Sequence, residues 1–415
     1  MTVYNVSTTA ALRTALGQAQ SGDTILLASG TYSGLSVSGI NPSGNVTITS
    51  QNPAAPAVLT PFTVSNSSNL TFSHLEMNAS GVTGGAYAFQ VSGSSHVTFD
   101  SDFVHGPLGA DPNQAATGLL LKNSSNVSVT NSTFQYLQSG MMDTGNNGVL
   151  LSGNSFSHLA GDGIDNVGVS NVQVLNNAFT DTVALTNGLH PDAIQFWTAG
   201  TTTAMQNITI SGNTFVRGTG VGSQGVFIED DNNLPYQNVS IINNTVIGGL
   251  YNGISVYGAA DNFNVSGNQI VSYSDYQSFL LVKNLTGGTV SNNSANLYEL
   301  SGNTNVTQSG DVTNAVVTPG GAPTITNTAT TASYKAGGAA AAIGHFLVVD
   351  TNVPTLASAK VSITGGFLAG DALNFTNQAG ITGSYNAATG VLTLSGTASQ
   401  AAYQAALDSV TYSST

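Results

Sequence analysis

A phrase of alternating polar and apolar residues recurs along the N-terminal part of the chain. It reads Asn–apolar–polar–apolar–polar–Asn/Gly–Asn–polar–apolar, as in NVSVTNSTF from Asn126 and NITISGNTF from Asn207. Successive copies begin mostly about 20–30 residues apart, which is the period of a solenoid of stacked β-coils. Equivalent side chains would then recur about 4.8 Å apart along the solenoid axis. The copies begin at Asn69, His96, Asn126, Gly148, Asn171, Asn207, Asn238 and Asn262.

Most coils also hold a second apolar strand, which usually begins with a small residue. Positions two and four of this strand are mostly Leu, Ile, Val and Phe, so we expect them to point inward and positions three and five outward. Asp143 falls at position four, one place later than Asp165, which suggests that its strand is misaligned by one. The aligned strands begin at Ala88, Gly118, Gly140, Gly163, Ala193, Gly225, Gly253 and Phe279.

The N-terminal end of the solenoid carries a helical pattern. The segment Thr8–Gln20 predicts a short amphipathic helix that Thr8 or Thr9 would cap, with Leu12 and Leu16 on one face. Such a helix would cover the open end of the solenoid and protect its first edge strand.

The pattern changes after the solenoid, which we place in residues 1–309. Pro and Gly in residues 310–323 predict a linker. Residues 324–415 alternate with turn signals such as NAATG and predict a small β-sandwich, with a short helical stretch at Ala398–Asp408. This block resembles the immunoglobulin-like or cadherin-like repeats of large bacterial adhesins and secreted enzymes. We expect it to be truncated at Thr415, with more repeats downstream.

Composition restricts the classes of partner. The net charge is −14 and only 6% of residues are charged, so neither nucleic acid nor an anionic membrane surface is an expected partner. Cysteine is absent, which excludes a disulfide scaffold and a thiolate metal site. No apolar run is long enough to span a membrane. We expect a monomer that is secreted or displayed on a bacterial cell surface, exported without a signal peptide, because the N-terminus lacks a basic and an apolar segment.

Acidic residues, a histidine and the only tryptophan concentrate on neighbouring coils. On one coil lie His190, Asp192, Gln195 and Trp197; Asp162 and Asp165 lie on the coil below, and Glu229 lies on the coil above. A single Asp at a coil corner usually satisfies backbone N–H groups. Several like charges on neighbouring coils raise one another's pKa, however, and are typical of a shared proton, a metal or a substrate.

The solenoid resembles the right-handed parallel β-helix superfamily of polysaccharide lyases, polyuronate epimerases and some glycosidases. The resemblance rests on the GDTI…GTY opening, the capping helix and the segment His190-Pro191-Asp192-Ala193-Ile194-Gln195, which is similar to a His-x-Asp-x-x-Gln element of secreted β-helix proteins. It implies an all-β fold, a right-handed parallel β-helix with an N-terminal capping helix and then a small β-sandwich. It also implies a polysaccharide as partner.

The first hypothesis for the activity is β-elimination on an acidic polysaccharide, or epimerisation at C5. Asp162, Asp165 and Asp192 would hold Ca²⁺, which would neutralise the uronate. His190 would be the base and Tyr257 the acid. Lyases of the superfamily often use Lys or Arg as the base, and Lys122 and Arg217 are the nearest candidates. We expect both, with Gln195 and Trp197, to contact substrate.

Two alternatives remain open from the sequence. One is hydrolysis by paired carboxylates, either Asp165 with Glu229, about 9.6 Å apart along the axis, or Asp165 with Asp192. The scarcity of Lys and Arg favours this alternative, since a neutral glycan needs no cation. The other is a glycan-binding or adhesin module without catalysis, with Trp197 and Tyr257 as stacking platforms for sugar rings. The long insertions on either side of the Asp192 strand, TDTVALTNGLHP and TAGTTTAMQ, would form the wall of a groove.

Overall fold

The computed structural model describes residues 1–186, 190–258, 260–317, 323–327, 333–335, 337–344, 346–350 and 355–414. The chain divides into two compact units, Met1–Val317 and Thr318–Thr415. Among the described residues, no helix is both long and apolar enough to cross a membrane.

The first unit is a solenoid whose described residues form three parallel sheets of 13, 12 and 11 strands. Each turn visits sheet 1, sheet 2 and sheet 3 in that order. The strands of sheet 1 are Val3–Val6, Thr24–Leu27, Val46–Ser50, Ser68–Ser73, Ser95–Asp100, Ser125–Thr130, Asn147–Ser152, Ser170–Leu175, Gln206–Ser211, Tyr236–Ile242, Ala260–Ser266, Leu285–Ser291 and Thr304–Ser309.

The strands of the other two sheets follow within each turn. Those of sheet 2 are Gly30–Tyr32, Ala57–Leu59, Glu76–Asn78, Phe103–His105, Thr133–Gln135, Ser155–Ser157, Ala178–Thr180, Thr214–Val216, Thr245–Ile247, Gln269–Val271, Ser294–Ala295 and Val312–Thr313. Those of sheet 3 are Ser36–Ser38, Phe62–Ser65, Tyr87–Ser92, Thr117–Lys122, Ser139–Thr144, Ile164–Val167, Asp192–Trp197, Gln224–Glu229, Asn252–Tyr257, Phe279–Lys283 and Leu297–Ser301. The last strand of sheet 2 lies inside the range predicted as a linker.

The N-terminal helix is Thr9–Gln18, and the hydroxyl of Thr8 caps it by accepting a hydrogen bond from the Ala11 N–H at 3.1 Å. Leu12 and Leu16 are buried against the first turns. The helix therefore covers apolar side chains that would otherwise be exposed at this end of the solenoid, as predicted.

The recurring phrase covers more than one strand. Its first half is a strand of sheet 1, and its last two residues begin a strand of sheet 2. The Asn at position seven of the phrase lies at the corner between the two strands. In the middle of the solenoid this Asn is buried: the Asn213 side chain donates to the Val174 carbonyl at 2.8 Å and to Asn244 Oδ1 at 2.9 Å, and accepts from the Asn177 backbone and side chain. This interior ladder consists of Asn154, Asn177, Asn213, Asn244, Asn268 and Asn293. The sequence-based interpretation of two strands in a coil missed sheet 2.

The register of sheet 3 confirms the alignment made from the sequence. Leu119, Met141, Ile164, Ile194 and Val226 are consecutive partners at position two. The small residue at position one has a steric reason. A Cβ on Gly163 would lie 2.5 Å from both the Ala193 carbonyl oxygen and the Phe179 ring. That ring belongs to an interior stack in which successive rings lie 4.7–5.0 Å apart, formed by Phe134, Phe156, Phe179 and Phe215.

The suggested misalignment around Asp143 is wrong. Asp143 pairs in register with Leu121 on one side and Asn166 on the other, at position four. It is fully buried inside the solenoid and accepts a hydrogen bond from the side chain of Asn146. Burial raises the pKa of the Asp143 carboxyl to about 7. An acidic residue therefore occupies an inward position without any shift of its strand.

In the second unit, the described residues form small antiparallel sheets and one helix. The strands are Thr324–Asn327, Ala341–Ala342, Phe346–Val349, Thr355–Ser362, Ala372–Asn374, Thr382–Asn386, Val391–Ser399 and Thr411–Ser413, and the helix is Gln400–Asp408. Leu373, Leu392, Leu394, Tyr403 and Leu407 are buried in its core. Antiparallel pairing agrees with the predicted sandwich, and membership of the immunoglobulin-like or cadherin-like repeats stays a prediction.

Candidate functional site on sheet 3

The outer face of sheet 3 carries a column of aromatic and charged side chains at position five. Trp197 pairs in register with Glu229, and Glu229 pairs with Tyr257. Lys283 Nζ lies 5.5 Å from the centre of the Tyr257 ring. All four side chains are partly exposed. They form a continuous outward strip along the axis, with the two aromatic rings two turns apart.

Two carboxylates stand next to each other where neighbouring strands of sheet 3 begin. Asp162 and Asp192 each precede position one, and the Asp192 N–H donates to Asp162 Oδ1 at 2.7 Å. Asp192 is only 2% exposed, whereas Asp162 is partly exposed. Asp165, at position three of the strand that follows Asp162, is 8% exposed although it lies on the outward face. The structure thus brings the three predicted acids onto two neighbouring turns.

His190 is the accessible member of the cluster. Its side chain is 52% exposed, and Nδ1 lies 3.4 Å from Asp192 Oδ1. This contact with the Asp192 carboxylate raises the pKa of the imidazole. Asp192 is therefore connected to solvent through a histidine that can exchange protons near neutral pH.

The three acids differ in how strongly their environment opposes ionisation. Burial, and then the charge of Asp192, raise the pKa of Asp162 to about 7. Burial and the charges of Asp162 and Asp192 hold the pKa of Asp165 well above its usual range. Burial also raises the pKa of Asp192, but the neighbouring His190 opposes this rise. At neutral pH the cluster can therefore hold both a protonated and an ionised carboxyl group.

The described residues do not fit a ready calcium cage. Nowhere in the described ranges do three or more His, Cys, Asp or Glu side chains converge in a way that could hold a metal ion. One oxygen of Asp162 is already bonded to the Asp192 N–H. Calcium binding by Asp162, Asp165 and Asp192 stays a prediction, and no chemical step below depends on a metal.

Glu229 is laterally offset from Asp165. It stands two turns away and two residues further along its strand, so the Cα atoms are about 12 Å apart by strand geometry. The sequence-based figure of about 9.6 Å omitted this offset. Burial and the charge of Asp231 raise the pKa of Glu229. Burial is the largest cause of the raised pKa of Asp165, and the charges of Asp162 and Asp192 are the next two. The structure therefore groups Asp165 with these two acids rather than with Glu229.

Of the other predicted contacts, Gln195 and Trp197 lie beside the cluster. Gln195 is the register partner of Asp165 and is partly exposed. The indole Nε1 of Trp197 is buried without a hydrogen-bond partner in the part of the chain that the structure describes. Tyr257 meets the ring of Phe227 edge to face, with ring centres 5.8 Å apart, and burial raises the pKa of its hydroxyl.

The cations of the first unit are mostly engaged elsewhere. Arg217 Nη1 binds Asp275 Oδ2 at 2.6 Å, and the Arg217 guanidinium lies 4.6 Å from the Tyr273 ring centre. Lys283 pairs with Glu299. Lys122 is exposed at position five, three turns below Trp197. The structure does not bring Arg217 into the carboxylate cluster.

The loops beside sheet 3 are fastened by residues that the sequence analysis missed. On one side, Asn113 joins the loop of residues 106–116 to Ala184 and Thr186. On the other side, Thr198 donates its hydroxyl to Asp230 at 3.0 Å and accepts from the Asp231 N–H at 2.7 Å. The predicted groove insertion includes residues 187–189, which lie outside the described residues. The Asp111-Pro112-Asn113 turn signal could have pointed to the first of these contacts.

Known families and structures match the solenoid. A family model described as right handed beta helix region matches residues 62–195. The first unit is a right-handed parallel β-helix. The matched segment is roughly a third of the chain, and it includes Asp162, Asp165 and Asp192. No curated protein matches the chain in sequence.

Solved structures agree with this fold at low sequence identity. The surface adhesin PfbA of Streptococcus pneumoniae is 14% identical, with a TM-score of 0.55 over 83% of this chain and 94% of that chain. A lacto-N-biosidase from Eubacterium ramulus is 10% identical, with a TM-score of 0.50 over 74% and 67% of the two chains. An alginate lyase from Paenibacillus is 17% identical, with a TM-score of 0.46 over 76% and 99%. At these identities the likeness concerns the fold alone.

Proposed function

We propose that this β-helix protein hydrolyses glycosidic bonds of an uncharged polysaccharide, with Asp162, Asp165 and Asp192 as its acid–base groups. The observation that carries the proposal is the grouping of these three carboxyls on two neighbouring turns, each with a raised pKa. The proximity of these carboxyls opposes their ionisation. A catalytic site that must both donate and accept a proton gives a physical reason for placing them together.

The ease with which each carboxyl ionises suits the two most buried acids to different roles. Asp165, which ionises with the greatest difficulty, donates its proton to the glycosidic oxygen as the bond from that oxygen to the anomeric carbon breaks. Asp192, whose ionised form His190 favours, accepts a proton from the water that forms the new bond to the anomeric carbon. Asp162 accepts a hydrogen bond from the Asp192 backbone, and its negative charge opposes the ionisation of Asp165.

A neutral substrate suits the charge around the site. Elimination or epimerisation requires a positive group to neutralise the uronate carboxylate. Among the four Lys and Arg of residues 1–317, Arg13 donates to the Gly34 carbonyl, while Arg217 and Lys283 have carboxylate partners. The fourth, Lys122, stands three turns away from the strand that begins at Asp192. The net charge of −14 would repel a polyanion. Hydrolysis of a neutral glycan is therefore preferred over the elimination that the sequence alone favoured.

The aromatic strip supplies places for the sugar rings. Trp197 and Tyr257 stand two turns apart, about 9.6 Å along the axis. An aromatic face packs against the C–H face of a pyranose, and the two platforms flank Glu229, whose carboxylate can accept hydrogen bonds from hydroxyl groups. A glycan that lies along the axis would contact both rings.

The test is a panel of neutral and acidic polysaccharides, with reducing ends and the ultraviolet absorbance of unsaturated products followed together, in the presence and absence of EDTA. We expect reducing ends without absorbance, on a neutral glycan, with no effect of EDTA. Asp165→Asn and Asp192→Asn should each lower the rate roughly 100- to 10,000-fold. Asp100→Asn, which changes a carboxylate on sheet 1, is the matched control and should keep the rate.

Two outcomes would contradict the proposal. Unsaturated products that form only with Ca²⁺ would indicate elimination by the same cluster. Binding of a glycan without any new reducing ends would favour the adhesin module, in which Trp197 and Tyr257 serve recognition only.

A further inference from the structure

A buried threonine follows directly after the tryptophan of the aromatic strip. Thr198 is fully buried, and Trp197 before it is the last residue of its strand. The Thr198 hydroxyl donates to Asp230 Oδ1 at 3.0 Å. It also accepts from the backbone N–H groups of Asp231, at 2.7 Å, and Asn232, at 3.1 Å. This hydroxyl therefore uses its one donor and both of its acceptor positions.

The backbone of Thr198 adds to the same connection. Its carbonyl accepts from Asn232 Nδ2 at 2.7 Å, and from the N–H and the hydroxyl of Thr201 at 2.9 Å and 2.7 Å. Thr198 is thus bonded to the loop that it begins, residues 198–205, and to the loop of the next turn, residues 230–235. We call these the first loop and the second loop.

Both loops leave sheet 3 at the ends of strands that carry the aromatic strip. The first loop follows Trp197 and the second follows Glu229, and these two residues are register partners. The first loop also reaches the turn below, since a Cβ on Gly168 would lie 3.4 Å from Thr201 Cγ2. The joined loops therefore border the strip over three neighbouring turns.

The indole ring of Trp197 has no hydrogen bond of its own to orient it. The side chain is partly exposed, yet its Nε1 is buried and has no hydrogen-bond partner among the described residues. A buried N–H without a partner is unfavourable, so packing rather than a polar contact holds the ring in place. The orientation of the ring then depends on whether its surroundings are fixed.

We infer that Thr198 is a positioning residue, which keeps the two loops joined beside Trp197 and so holds the indole ring in the orientation that a sugar ring requires. The inference rests on the proposed function in that Trp197 serves there as a sugar platform. Sheet 3 fixes the backbone of Trp197 through its register partners Val167 and Glu229, but it does not fix the side chain. Loss of the Thr198 hydroxyl would remove three hydrogen bonds between the loops, so the loops would separate and the ring would turn towards water.

Four variants separate the hydroxyl from other effects. Thr198→Val keeps the branched shape and removes the hydroxyl, whereas Thr198→Ser keeps the hydroxyl and is the rescue variant. Asn232→Ala, at an exposed position, removes only the side-chain bonds to the carbonyls of Thr198 and Thr201, so it loosens the same connection without a buried change. Thr209→Val is the matched control, since Thr209 is partly exposed on sheet 1.

The first readout is the fluorescence of the folded full chain, which needs no glycan. Trp197 is the only tryptophan, so its emission reports on this ring alone. In Thr198→Val and Asn232→Ala, the emission maximum should shift to longer wavelength and acrylamide should quench the emission more strongly, because the indole becomes more accessible to water. Thr198→Ser and Thr209→Val should leave both properties unchanged.

Activity gives a second readout. On a glycan that the protein hydrolyses, Thr198→Val and Asn232→Ala should raise KM roughly threefold to tenfold with little change in kcat, because the sugar platform is misplaced while the acids stay in place.

A merely structural role for Thr198 gives a different result. Variants that unfold at lower urea concentration, but whose folded state has the emission and the quenching of the unchanged protein, would overturn the inference. If Thr198→Val does not fold, as judged by circular dichroism, Asn232→Ala decides alone. The fluorescence needs no substrate, so a wild-type protein that cleaves no glycan would remove the proposed hydrolysis and leave the role of Thr198 beside Trp197 to be decided separately.

Discussion

Replacing the interior carboxyl of Asp143 with an amide should change how stability depends on pH. Asp143 is fully buried, and its Oδ2 has no hydrogen-bond partner in the described structure. The same holds for Oδ1 of Asn166, its register partner on the next turn. A proton on the Asp143 carboxyl could satisfy both oxygens, and the NH₂ group that the variant Asp143→Asn introduces could donate to Asn166 in the same way.

The magnitude follows from the pKa. Burial raises the pKa of Asp143 from 3.8 to about 7. Below pH 3.8 the carboxyl is protonated in the folded and unfolded states alike. As pH rises towards 7 the unfolded state loses its proton first, so the folded state loses stability at about 1.4 kcal/mol per pH unit. Across the whole window the loss attributable to Asp143 is about 4 kcal/mol, as an order of magnitude.

Asp143→Asn removes this titration, so the variant should gain stability relative to the unchanged protein between about pH 4 and about pH 8, by up to about 4 kcal/mol. Trp197 is the only tryptophan and lies in the β-helix, so its fluorescence during urea unfolding reports that unit. An Asp143→Asn stability difference that is the same at about pH 4 and about pH 8 would refute the reasoning.

Asp100→Asn is the control of opposite sign. Partial burial opposes ionisation of Asp100, but hydrogen bonds from Thr130, Asn131 and Ser101 outweigh it and lower the pKa of this carboxyl. A carboxyl with a lowered pKa stabilises the folded state above its unfolded pKa and loses that contribution as pH falls. The substitution should therefore cost more stability at neutral than at acid pH.

Three further predictions concern the interior of the solenoid and the sugar strip. Gly163→Ala should lower the free energy of unfolding by about 1–3 kcal/mol, because the new methyl group meets a carbonyl and a ring, while Gly81→Ala, with open space around it, should not; urea unfolding checks both. Asn213→Ala should cost about 3 kcal/mol or more in the same assay by leaving buried partners unpaired. Asn207→Gly, which removes an exposed amide that donates to Asn171 at a position where φ is +58°, should cost under about 1 kcal/mol. Trp197→Ala should raise KM for a hydrolysed glycan more than it lowers kcat, as measured by initial rates, and an unchanged KM would remove the stacking role.

Much of the fold could be predicted from the sequence because each turn repeats the same local pattern. The strand alignment starting at Gly118, Gly140 and Gly163 is confirmed in every register pair, since a one-residue slip would expose the whole inward row. The three-residue strands of sheet 2 could not be identified, because two or three residues give no period. The role of the corner Asn was also missed, because its partners are the carbonyls and amides of neighbouring turns.

The site was predicted in part for the same reason. Columns of a solenoid bring Asp162 next to Asp192, and the sequence shows this directly. A column does not show which way a side chain points or which residue it binds. Asp143 points inward, and Arg217 is paired with Asp275. The contact of Asn113 with Thr186 joins residues far apart in sequence and depends on loop paths that no repeat specifies.

The measurement that tests the central claim most directly is product analysis by mass spectrometry after cleavage in water enriched with heavy oxygen. Hydrolysis by Asp165 and Asp192 predicts one heavy oxygen atom at each new reducing end, and no unsaturated sugar, for the wild-type protein on a neutral glycan. Products that carry no heavy oxygen and end in an unsaturated sugar would contradict the account, because the bond would then have been broken by elimination.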